Sequence, residues 1–79
     1  MTPNEIGTIV NSCVKLEDIA TAMYEVYDVL NKMWANYLIQ YPFSETTEEL
    51  QQLITSVCVN ADKVTESIDA LQAFAEVNQ

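Results

Sequence analysis

The chain contains no histidine and no arginine, and its 79 residues include one glycine, two prolines and two cysteines. Each shortage removes a class of explanation. Without histidine, the side chain best suited to proton transfer near neutral pH is missing, as is the commonest metal ligand. The Glu-x-x-His step of a dimetal helical bundle cannot be written. With one glycine, no glycine-rich phosphate loop exists, and no calcium-loop spacing occurs. Three separated cations, Lys15, Lys32 and Lys63, cannot form the basic patch that neutralises nucleic-acid phosphates. The same scarcity disfavours anionic membrane surfaces. No apolar run reaches the 18 or more residues of a membrane-spanning helix. The start, Met1-Thr-Pro-Asn-Glu-Ile, lacks a positive region followed by an apolar one, so no secretory leader is expected. A cytoplasmic location follows as the expectation, or the host cytoplasm if the gene is viral. The sequence therefore predicts a non-enzymatic protein with no cofactor and no metal.

Cys13 and Cys58 form no CxxC pair and sit in apolar periodic stretches, which predicts two buried free thiols. Lys15 is two residues from Cys13 and falls on another helix face, so no neighbour activates that thiol.

What is abundant is apolar and acidic. Hydrophobic residues make up 49% of the chain, and twelve acids against three lysines give a net charge of −9. Residues 1–43 hold five acids and two lysines, net −3, and residues 44–79 hold seven acids and one lysine, net −6. A basic protein surface is the electrostatic complement of such a chain.

The apolar residues are strictly periodic. Steps of three and four give Ile6, Ile9, Cys13, Leu16, Ala20, Met23, Tyr27, Leu30, Trp34, Tyr37 and Tyr41 on one seam. That pattern predicts an amphipathic helix over about residues 3–40. Thr2-Pro3-Asn4-Glu5 supplies its start: a cap hydroxyl, a proline at the first position and a glutamate completing a capping box. Gly7 and the Asn11-Ser12 pair allow a variant with the helix broken near 11–16, in which residues 3–14 fold back. Pro42 ends the segment. Ser44 or Thr46 caps the next helix, with Thr46-Thr47-Glu48-Glu49 reading as a second capping box. Glu45, Glu48 and Glu49 then sit at the positive end of that helix.

The second seam, Leu50, Ile54, Val57, Ala61, Val64, Ile68, Leu71 and Ala75, predicts a helix over about 47–76, with an irregularity possible at Asn60. The short connector makes the two helices antiparallel neighbours. The fold expected is thus a single all-α domain over 1–79, an antiparallel two-helix hairpin of coiled-coil type. In that hairpin Trp34 lies near Ile54, Tyr27 near Val57–Ala61 and Ala20 near Ile68. About 16 residues of helix, roughly 24 Å, then separate the two cysteines, too far for a disulfide within the chain.

The first helix carries more apolar surface than one neighbour covers. Val10, Tyr24 and Leu38 lie on one flank of its seam, and Ile19, Val26 and Met33 on the other, with Val14, Val29 and Ile39 further out. Six aromatics fall between Tyr24 and Phe43. A protein-binding face made of Ile19, Met23, Tyr24, Val26, Tyr27, Met33, Trp34, Tyr37 and Leu38 is therefore expected. Its occupant is a larger, basic-surfaced protein, for which the chain would act as inhibitor or accessory factor. The alternatives are a second copy, giving a homodimeric four-helix bundle, and, with less support, an acidic mimic of nucleic acid.

Overall fold

The computed structural model describes residues 1–79 and contains two helices, α1 (Pro3–Gln40) and α2 (Glu45–Val77), with no strand. They run antiparallel against each other as a rod of 57 × 15 × 12 Å. No helix is long and apolar enough to cross a membrane.

The start of α1 follows its sequence closely. The Glu5 amide donates to Thr2 Oγ1 at 3.2 Å, and the Thr2 amide donates to Glu5 Oε1 at 3.0 Å, closing the capping box. Hydrogen bonding to the carboxylate, from the Thr2 amide first and the Thr2 hydroxyl second, holds the Glu5 carboxyl below its ordinary value of 4.5. Pro3 stands at the first helical position, where its missing N–H is not needed.

The helix expected over about 3–40 is continuous, and the variant with a break near residues 11–16 does not occur. The hydroxyls that could compete with the helix bond back into it instead. Thr8 Oγ1 donates to the Asn4 carbonyl at 2.9 Å, and Ser12 Oγ donates to the Thr8 carbonyl at 2.8 Å. The buried thiol Cys13, 2% exposed, anchors the same stretch to α2, so no fold-back of residues 3–14 forms. The irregularity allowed at Asn60 is also absent, and α2 runs unbroken to Val77.

At the turn, the cap is Ser44 rather than Thr46, so α2 starts earlier than 47. Ser44 Oγ accepts from the Thr47 amide at 3.1 Å. Thr47, freed from capping, turns inward and is 3% exposed. Its hydroxyl donates to the Tyr41 carbonyl at 2.8 Å, and its own carbonyl accepts from Trp34 Nε1 at 3.0 Å. Four otherwise costly polar groups satisfy one another at the closed end of the hairpin. Tyr41, the last residue of the expected seam, is half exposed because the helix has already ended.

Both seams pack inward. Lettering the seven-residue repeat a to g puts Cys13, Ala20, Tyr27 and Trp34 of α1 at a, and Leu16, Met23, Leu30 and Tyr37 at d. In α2, position a holds Thr47, Ile54, Ala61, Ile68 and Ala75, all of them buried. Ala61 has no exposed surface at all. Ala20 and Ile68 line one groove together, and Cys13 and Ala75 another, which fixes the register expected from the sequence. Extending that register by sevens pairs Tyr27 with Ala61 and Trp34 with Ile54, so a small residue faces a large one in two of the four layers, Ala20–Ile68 and Tyr27–Ala61.

Cys13 and Cys58 are both free thiols. Cys13 is buried, with Sγ 4.0 Å from the Ile68 carbonyl. Cys58 is only half-buried, contrary to expectation, because it stands at position e, beside the seam rather than on it.

Candidate protein-interaction surface

The register sorts the remaining residues onto two broad sides of the rod. One side is made of positions e and b from both helices. It is identified by contacts that cross between them. The Tyr24 hydroxyl donates to the Asp62 carboxylate, and Gln72 Nε2 donates to Glu17 Oε1 at 3.3 Å. A groove on this side is lined by Glu17, Ala20, Tyr24, Thr65, Asp69 and Gln72 among others. The Asp62 carboxylate pushes the Tyr24 hydroxyl above its ordinary value of 10.0, since it stabilises the protonated phenol and opposes the phenolate.

The opposite side is made of positions g and c. On α1 it presents Ile19, Ala22, Val26, Val29 and Met33, again at steps of three and four. Ile19 is 51% exposed, Val26 50%, Val29 66% and Met33 47%. Ala22, Val26, Val29 and Leu30 line a shallow groove along it, bordered by the Glu25 carboxylate of the outer ridge. Across the seam, α2 adds Leu53 and Phe74 at position g, 68% and 51% exposed. From Ser12 to Gln40 and from Thr46 to Phe74, no g position carries a charge.

Charge is divided between these sides very unevenly. The e/b side carries Glu17, Asp28, Glu48, Asp62, Asp69 and Glu76 and no lysine, net −6. The g/c side carries Glu5 and Glu49 against Lys15 and Lys63, net zero. The outer f ridges carry Asp18, Glu25, Glu45 and Glu66 against Lys32, net −3. Lys32 is paired with Asp28 at 3.1 Å, an exposed i,i+4 contact that adds little stability. The rod therefore has one acidic side and one neutral, apolar side.

The nine residues expected to form a binding face do not share one side. Ile19, Val26 and Met33 line the g/c side. Met23, Tyr27, Trp34 and Tyr37 are half-buried in the seam against α2. Tyr24 and Leu38 lie on the e/b side, where Tyr24 is held by Asp62. Sequence reasoning missed Leu53 and Phe74 as continuations of the α1 stripe. They read as flanks of the second seam, and only the register shows which flank of α1 they adjoin.

No three His, Cys, Asp or Glu side chains converge in a metal-holding group. The chain matches no protein-family model, no curated protein and no solved structure.

Proposed function

We propose that the protein is a small acidic, non-enzymatic interaction module. The observation that carries this reading is the sorting of side chains onto an acidic side of net −6 and an apolar side of net charge zero. Apolar residues at solvent-facing helical positions cost solubility, and contiguous ones mark surfaces that another molecule covers. The acidic side suits a larger, basic-surfaced protein, which it would attract over a screening length and orient on approach. An inhibitor or accessory factor of such a protein is the role that fits.

Catalysis finds little support. Proton transfer would have no histidine to use, and the Cys13 thiol is buried beside a carbonyl rather than a base.

A second reading, self-pairing into a four-helix bundle, is favoured by surface area. The hairpin exposes 5840 Å². A compact monomer of 8.9 kDa is expected to expose about 4,800 Å². The two readings are compatible, because they use different sides of the rod.

Photo-crosslinking residues placed at Val29 and at Asp69, on opposite sides, test the interaction reading in the native cell. Discrete protein adducts through at least one position are expected. An absence of adducts at both would contradict it.

A further inference from the structure

We infer that the g/c side of the hairpin, formed by Ile19, Val26, Val29, Met33, Leu53 and Phe74, is a homodimer face whose occupant is a second copy of this chain. The inference rests on the interaction reading above and names the surface and its partner.

Area is the first argument. The hairpin exposes 5840 Å², about 1,000 Å² more than a compact monomer of its mass. If each copy hides that excess, the interface totals about 2,000 Å², the upper end of the range for stable protein pairs. One long side of a rod 57 Å by 15 Å is large enough to hide it.

Charge is the second argument, and it selects the side. Two chains of net charge −9 repel if they approach through the e/b sides, which would oppose −6 to −6. Through the g/c sides each copy presents two lysines and two glutamates, net zero. The chain has sorted ten of its twelve acids away from this face, while two of its three lysines border it. A strongly basic partner would gain nothing from a neutral face, whereas a second copy avoids repulsion there.

Pattern is the third. The stripe of Ile19, Ala22, Val26, Val29 and Met33 repeats the spacing of the seam that joins α1 to α2, so it can seat another helix by the same packing. A two-fold pairing would present the same patch from both copies and close on itself. The product is a four-helix bundle with its acidic sides outermost.

The test measures molar mass by light scattering and helicity by circular dichroism for the full chain, Val26→Glu and Val14→Glu. Val14 is as exposed as Val26 but lies on the e/b side. The wild type and V14E are expected to be dimers. V26E is expected to be a helical monomer, or a dimer weakened at least about a hundredfold, because it places two unpaired carboxylates in the joint. Should V26E lose its helicity, a photo-crosslinker at Val29 in the otherwise unchanged purified protein supplies the second reading, with a self-adduct expected. A wild type that stays monomeric, or a V26E dimer as tight as wild type, would overturn the inference. A monomer whose Val29 or Asp69 position still captures a foreign protein in the cell would overturn the homodimer face and leave the interaction reading standing. A monomer without adducts at either position would overturn both.

Discussion

The Tyr24 hydroxyl on α1 donates a hydrogen bond to the Asp62 carboxylate on α2, and this contact marks the acidic side of the rod. It joins residues 38 positions apart. Because the phenol is stabilised in its protonated form, the contact favours the folded state below pH 10 and loses that effect as pH rises through and above 10. Tyr24→Phe is therefore expected to lower the urea midpoint at pH 7. At pH 11 the order should level or reverse, since a phenolate beside Asp62 repels it. Urea titrations at the two pH values check both signs.

The capping box at the start of α1 has the opposite pH dependence. Glu5 is held below its ordinary value, so its contribution is present above pH 4.5 and fades as pH falls below it. Thr2→Ala removes the acceptor for the Glu5 amide and should cost about 1 kcal/mol at neutral pH. Amide hydrogen exchange should speed up mainly in the first turn, because the hydrogen bonds of Thr2 are all made there, to Glu5 and Ile6.

Ala61, at a seam position of α2, has no exposed surface. Ala61→Leu is expected to destabilise the hairpin by about 1–3 kcal/mol through overpacking. Ile54→Ala, which leaves a cavity beside Trp34, should cost about 2–5 kcal/mol. Chemical denaturation monitored by helicity checks both. Val59→Ala serves as the contrast, since Val59 is 45% exposed on the outer ridge, away from both the seam and the g/c side, and should barely affect stability.

At the turn, Thr47→Val keeps the shape of the side chain and deletes the hydroxyl that donates to the Tyr41 carbonyl. That loss should cost about 1–3 kcal/mol, because the acceptor is left in a partly buried place. Trp34 fluorescence reports the change locally, since its indole donates to the carbonyl of the same residue.

Much of the fold was legible from residue spacing. Ten consecutive seam positions from Ile6 to Tyr37 admit only a helix, and the Thr2–Glu5 box and Pro42 mark its two ends. The second cap was harder to read because Ser44 and Thr46 both carry hydroxyls, and only the bond from the Thr47 amide to Ser44 Oγ decides between them. The surface was legible in part. The flanks of α1 were separable by eye, with Ile19, Val26 and Met33 on one and Tyr24 and Leu38 on the other. Which flank of α2 lies beside each depends on the rotation of α2 about its axis. That rotation shows in contacts such as Tyr24–Asp62 and Glu17–Gln72, which join exposed polar residues and leave no periodic trace. The division of charge between two sides could not be seen until the register was known.

Sedimentation equilibrium of the unmodified protein at low and at high salt tests that division most directly. A neutral apolar joint with the acids turned outward predicts a dimer of twice 8.9 kDa at both salt levels, no weaker at high salt than at low. A monomer at high salt, where repulsion is suppressed and apolar contact is favoured, would contradict the account.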